Sequence, residues 1–175
     1  MSWEIEYKKK LRTPQEALRV VQSGMRVYIQ PGCAEPETLV EALMDRAPHV
    51  EDVEIVHMMT MGTAPYVAPE MAGHFRHNAV FIGGNVRDAI NDGRADYTPI
   101  YLSEIEELFT SGAMPIDVAL LELSPPDSHG FCSFGVGVDT SLTAAQCARY
   151  VIAQINDQMP RTYGDSFIHV SQIDA

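Results

Sequence analysis

Asp127, Ser128 and His129 stand side by side in the run Ser124-Pro125-Pro126-Asp127-Ser128-His129-Gly130-Phe131-Cys132-Ser133-Phe134-Gly135. A serine, a histidine and an acid are the parts of a hydrolytic triad, in which the acid orients the ring that takes the serine proton. Sequence neighbours do not assemble that way. Triad members come from separate loops, and the G-x-S-x-G elbow that presents such a serine is absent. Two prolines directly after an apolar run instead specify a rigid loop. The segment therefore reads as a wall of a ligand site, with Ser124, Pro125, Asp127, His129 and Gly130 as candidate lining residues.

Cys33 lies in Pro31-Gly32-Cys33-Ala34-Glu35-Pro36, where an apolar run ends and a helical pattern begins. Small residues there allow a ligand close to the backbone, and free N–H groups at a helix start attract carboxylate, phosphate or a developing oxyanion. A cysteine nucleophile needs a base or a positive environment. The sequence offers His57, His74, His77 and His129 but pairs none of them with it, so Cys33 reads as a small site-lining or buried thiol. His74 and His77 are three apart, yet a zinc site needs a third ligand and H-E-x-x-H is missing; no metal is expected. Gly135-Val136-Gly137 lacks the third glycine of a dinucleotide loop.

The elements that would position these residues follow from the apolar pattern. Thr13-Pro14-Gln15-Glu16 has the form of a capped helix start, with Gly24 as its end. Strands are expected at Met25–Gln30, Val53–Met59, Asn78–Ile82, Ile116–Leu123 and Tyr150–Ile155, with Ser166–Val170 as a further candidate. Helices are expected at Glu37–Arg46, Val86–Ile90, Glu104–Phe109 capped by Ser103, and Leu142–Ala148. Short apolar strands alternating with helices specify an α/β fold: an open, mostly parallel sheet with helices on both faces. Ligands in such sheets sit beyond the carboxyl ends of the strands. The segments to watch are therefore Pro31–Pro36, Thr60–Pro65, Gly83–Arg87 and Ser124–Phe134.

The 175 residues fit one domain with a sizeable core. A net charge of −12, with the three lysines consecutive at Lys8–Lys10, excludes a nucleic-acid partner. Three widely spaced cysteines without C-x-x-C suit a reducing compartment. The start MSWEIEYKKKL holds no apolar stretch for a signal peptide or membrane span, so the expected location is cytoplasmic.

Four stretches, in order and in spacing, resemble the acetyl-CoA hydrolase/transferase family. They are PEMAGHFRHNAVFIG (69–83), GRADYTPIYLSEI (93–105), the Ser124–Gly135 loop, and MPRTYGDSFIHV (159–170). The resemblance covers essentially the whole chain, with the 4-hydroxybutyrate CoA-transferase branch nearest. It implies a class I CoA-transferase of two α/β halves. A glutamate attacks an acyl-CoA thioester, an acyl anhydride and then a glutamyl-CoA thioester form, and a second carboxylic acid takes over the CoA.

That glutamate belongs to a glycine-flanked motif of the second half, beyond Ala175, and no glutamate here has the expected context: Glu35 precedes proline and Glu122 sits in an apolar strand. The resemblance thus implies an N-terminal half, residues 1–175, incomplete at its C-terminal end. It has no catalytic nucleophile of its own and no permanently bound cofactor. Its partners are acyl-CoA, a small carboxylate, the missing C-terminal half and a further copy of itself. By position, Gly32, Cys33, Ala34, Thr60, Gly62, Gly83, Gly84 and Asn85, with the 124–130 loop, would line the acyl pocket. Cys33 and Gly84 stand where some relatives carry other residue types, so acyl preference can differ. The alternatives are a silent binding or scaffolding domain and a hydrolase using Asp127 and His129.

Overall fold

The computed structural model describes residues 2–175. Helix α1 (Trp3–Lys10) and the short α2 (Pro14–Ala17) precede strand β1 (Arg26–Ile29) and helix α3 (Glu37–Met44). Strands β2 (Val53–His57) and β3 (Phe75–Ala79) follow, then α4 (Arg87–Asn91), the two-residue β4 (Asp96–Tyr97) and α5 (Ile105–Thr110). The chain closes with β5 (Val118–Leu123), β6 (Phe131–Ser133), α6 (Ser141–Cys147), β7 (Tyr150–Ile155) and β8 (Phe167–His169).

Six strands form one sheet in the order β4-β3-β2-β1-β5-β7, and every pairing in it is parallel. The chain winds outward from β1 to β4, then returns to lay β5 and β7 on the other side of β1. The order therefore reverses between β1 and β5, the place where a doubly wound sheet opens a crevice at its carboxyl edge. A separate antiparallel pair, β6 with β8, stands beside it.

Alternation along the central strands divides the core into two layers. Val27, Ile29, Val118 and Leu120 point to one face, where they meet Leu18, Leu39 and Leu43. Tyr28, Ala119, Leu121 and Leu123 point to the other, against Phe109, Phe134 and Ala144. All six residues of β5 are buried, as expected of a strand covered on both faces. Each large side chain so enclosed contributes about 1.5–3 kcal/mol. The Tyr28 hydroxyl stays satisfied inside this layer by Thr140 and Ser141, each at 3.0 Å.

The Thr13 capping box forms, with the Glu16 amide on Thr13 Oγ1 at 3.3 Å and the Thr13 amide on Glu16 Oε2 at 3.0 Å. Three expectations need correction. The first helix turns to 3-10 geometry at Leu18–Val20 and ends before Gly24. The strand expected at Asn78–Ile82 runs instead from Phe75 to Ala79, in register with β2 from Val53 opposite Phe75 to His57 opposite Ala79, and it buries the His77 ring with Nδ1 3.1 Å from the Ile55 carbonyl. Ser103 caps nothing; it lies within a 3-10 turn (Leu102–Glu104) whose Glu104 carboxylate accepts the Tyr101 amide. Helix α1 was not expected at all. It is polar on most sides and is held by tertiary bonds: Trp3 Nε1 to the Ser128 carbonyl at 3.1 Å and Lys10 Nζ to the Val170 carbonyl at 2.8 Å.

Candidate active site

Because β3, β2, β1 and β5 are adjacent and parallel, the segments after them emerge side by side at one edge. Three of these segments are tied directly together. The Gly32 amide donates to the Met59 carbonyl at 2.7 Å, and Gly32 and Thr60 continue the β1–β2 ladder as an isolated bridge. Gly32 takes φ +68°, a turn that a side chain would strain. From the β3 side, Asn85 Nδ2 donates to the Gly62 carbonyl at 2.7 Å and reaches the Thr60 carbonyl at 3.4 Å. Gly83 leaves room for that amide, since a Cβ there would lie 2.9 Å from Asn85 Oδ1.

Glu35, which the sequence reading left without a role, is the centre of this cluster. Its Oε2 accepts the Thr60 hydroxyl at 2.6 Å, the Gly62 amide at 2.8 Å and the Met61 amide at 3.2 Å. Beneath it, the Tyr66 hydroxyl meets His57 Nδ1 at 2.9 Å. Burial, and then the negative Glu35, push the Tyr66 phenol well above its usual range. Burial brings His57 down to about 3 and His77 to about 4, so both rings are neutral.

These bonds alter one expectation. The amides of Gly32, Met61 and Gly62 are all engaged inside the protein, so these three are not free oxyanion donors. This edge supplies shape and exposed side chains instead. Cys33 is exposed there, while His57, His74, His77 and His169 direct a ring nitrogen to Tyr66, Val50, Ile55 and Ser171 respectively. Nothing on those rings prepares Cys33 as a thiolate. Met59 and Met61 are both exposed, and Met59 helps to line an apolar cavity of about 310 Å³ with Met58, Val80, Phe81, Ile100 and Leu102. Gly84 is exposed with open space around its Cα. Ala34 is enclosed, packed where a Cβ on Gly137 would come within 2.6 Å.

The fourth segment is braced separately. Ser124 is fully buried; its hydroxyl donates to the Pro125 carbonyl and accepts the Ser133 amide at 2.9 Å. Asp127 Oδ1 accepts the amides of His129 and Phe131, and Oδ2 pairs with Arg161 at 3.0 Å. The Phe131 amide, the His129 amide and the Arg161 charge hold the Asp127 carboxyl below its usual range. Its carboxylate is thus turned to the loop backbone and not to the His129 ring, which argues against an Asp127–His129 hydrolytic pair. Arg161 also bonds the carbonyls of Pro125 and Phe131 and lies over the Phe167 ring. Gly130 is closed over by Trp3 and His169, each with an atom 2.8 Å from where a Cβ would be. Gln30, fully buried at the β1–β5 reversal, joins this side to the rest. Its Oε1 accepts the Glu122 amide at 2.6 Å and its Nε2 donates to the Gly137 carbonyl at 2.7 Å.

The model of the acetyl-CoA hydrolase/transferase N-terminal domain matches residues 1–175. The chain belongs to that family. It is 49% identical over 174 residues to a 4-hydroxybutyrate coenzyme A transferase of Clostridium kluyveri, covering 99% of this chain and 41% of that protein. It is 43% identical to a succinyl-CoA:acetate/propanoyl-CoA:succinate CoA transferase of Fasciola hepatica, over 90% of this chain and 33% of the relative. Among solved structures, RipA from Yersinia pestis superposes with a TM-score of 0.91 at 31% identity, over all of this chain and 43% of RipA. A 4-hydroxybutyrate CoA-transferase from Porphyromonas gingivalis gives 0.83 at 30%, over 99% of this chain and 40% of that one. The chain thus spans well under half the length of these relatives. Among the described residues, no group of three or more His, Cys, Asp or Glu could hold a metal, and no helix is long and apolar enough to cross a membrane.

Arg161, Gln30, Tyr66 and Glu35 all organise this edge, and sequence reasoning passed over each. Arg161 lay inside a stretch that carries the family resemblance. Glu35 offered only a hint, an acid among the small residues of a turn.

Proposed function

We propose that this chain is the N-terminal half of a CoA-transferase that moves CoA between an acyl-CoA and a small carboxylic acid of the acetate, butyrate or 4-hydroxybutyrate type. The observation that supports it most is the cluster of segments beyond the carboxyl ends of β1, β2 and β3, within a chain that matches the family's N-terminal domain from end to end. The nucleophile in this reading is a glutamate of a second half. Its carboxylate attacks the thioester carbonyl and expels CoA thiolate, leaving an acyl-glutamyl anhydride. The thiolate then attacks the glutamyl carbonyl and releases the first acid, leaving glutamyl-CoA. A second carboxylate reverses both steps, so one thioester is consumed and one formed.

The residues of this chain give the acyl group a shaped wall. Gly32, Gly62, Gly83 and Gly84 keep it open, Cys33, Met59 and Met61 present soft apolar surface, and Thr60, Asn85 and Glu35 fix its outline. CoA enters as substrate, not as a resident cofactor, and the 124–130 loop forms the remaining wall. Met59, Met61, Phe81, Tyr101 and Leu102 are large apolar side chains left exposed, and association with the second half, and with further copies, would cover them.

The test is acyl exchange with acetyl-CoA and butyrate, following butyryl-CoA by mass spectrometry. Product from the chain combined with its second half supports the reading; absence of product from that combination overturns it.

A further inference from the structure

Glu35 is 6% exposed, and no lysine or arginine pairs with it among the described ion pairs. A carboxylate taken out of water without a cation must be compensated by hydrogen bonds, or the site is destabilised. Here one oxygen collects three donors, all from Thr60, Met61 and Gly62. Bonds to an ionised acceptor are the strong ones, and each also fixes the direction of the group that donates it. The three residues so fixed are consecutive and form a single turn.

The same turn is held from the opposite side by Asn85 on two carbonyls, and at its root by the Gly32–Thr60 bridge. Between these restraints Met61 projects with 69% of its surface exposed. Gly62 is matched to the arrangement: a Cβ there would come within 2.9 Å of Glu35 Oε1 and 3.0 Å of Oε2. A carboxylate seated under a turn, donors converging on one oxygen, and a glycine that leaves space for it together form a clamp on the exposed methionine.

We propose that Glu35 is a positioning residue for acid selectivity, fixing the exposed Met61 side chain on the acyl-facing wall by clamping the Thr60–Gly62 turn. The proposal rests on the CoA-transferase reading above. Glu35 touches neither substrate nor reacting atoms in this account; it acts through Thr60, Met61 and Gly62. Without the clamp the turn relaxes, and discrimination between a short acid such as acetate and a longer one such as butyrate fades.

The experiment uses the complete protein, with its second half, as wild type, Glu35→Ala and Glu35→Gln. Amide hydrogen exchange is read at Met61 and Gly62 with Ile55 as control, and KM and kcat are measured for acetate and butyrate as acceptors. In Glu35→Ala the two turn amides should exchange about tenfold faster, the order of effect expected for lost bonds to a charged acceptor. The KM ratio between the acids should collapse while kcat changes less. Glu35→Gln, which keeps one acceptor oxygen, should fall between the two and carries the test if the alanine variant does not fold. Unchanged exchange at Met61 and Gly62, or an unchanged KM ratio in a variant with those amides released, overturns the proposal. A wild type that moves no CoA removes the selectivity role along with the CoA-transferase reading. An active wild type whose Glu35 variants keep the same KM ratio removes the selectivity role alone.

Discussion

His57 Nδ1 meets the Tyr66 hydroxyl at 2.9 Å inside the protein, with the His77 ring 5.3 Å from the Tyr66 ring and 6.5 Å from that of His57. The pair sits under the turn that Glu35 clamps, and nothing cationic can be accommodated there cheaply.

A pH dependence of stability follows. Burial lowers His57 to about 3 and His77 to about 4 in the folded chain, against about 6.5 when unfolded. Below pH 6.5 the unfolded chain therefore binds more protons. The contribution is fully present above pH 6.5 and is lost as pH falls toward 4 and then 3. Its limiting slope is about 1.4 kcal/mol per pH unit for each histidine. Urea unfolding at pH 7.5 and pH 5 should show the loss, and His77→Asn should reduce its slope; an unchanged slope would contradict the assignment.

Cys33 is exposed in the segment that follows β1. Cys33→Ala in the complete enzyme should keep turnover within about tenfold and shift acyl preference modestly. Abolished turnover, measured with several acyl-CoAs, would make Cys33 a nucleophile.

Arg161 ties Asp127 to the carbonyls of Pro125 and Phe131. Arg161→Ala should cost about 1–2 kcal/mol, tempered by the partial exposure of the pair, and should loosen the 124–131 loop. Limited proteolysis within that loop is the measurement, and cleavage as slow as in wild type would count against the strut.

Gly135 takes φ +59°, and a Cβ on it would lie 2.6 Å from Met159 Cγ and 2.9 Å from the Pro160 carbonyl. Gly135→Ala combines strain with overpacking and should destabilise by about 2–4 kcal/mol. A melting temperature within a degree of wild type would show that the 159–160 segment yields.

His74 bonds the Val50 carbonyl through Nδ1 at 2.8 Å, a structural use of the ring. Elemental analysis of the purified protein should find no stoichiometric zinc, and zinc that His74→Ala releases would contradict that use.

The parallel sheet was legible because its inner strands are apolar and end at turn formers. β7 runs Tyr150–Ile155 as read, and β5 begins two residues inside the reading because Pro115-Ile116-Asp117 leads into it. β3 was displaced because Arg76 and His77 interrupt its apolar pattern. Arg76 is paired with Asp96 on the surface, and His77 is buried with its Nδ1 on the Ile55 carbonyl, so both fit a strand for tertiary reasons. Helix α1 depends on contacts of Trp3 and Lys10 with residues more than a hundred positions away. That the segments after β1, β2, β3 and β5 would emerge at one edge was readable from strand order. Glu35 was not, since its value lies in donors 25 to 27 residues downstream that only the β1–β2 pairing brings to it.

The central claim is that the nucleophile lies outside these residues. Acyl exchange from acetyl-CoA to butyrate, with butyryl-CoA followed by mass spectrometry, tests it directly. The account predicts no product from the 175 residues alone and product once the second half is supplied. Butyryl-CoA formed by the 175 residues alone would show that this half holds its own nucleophile and would contradict the account.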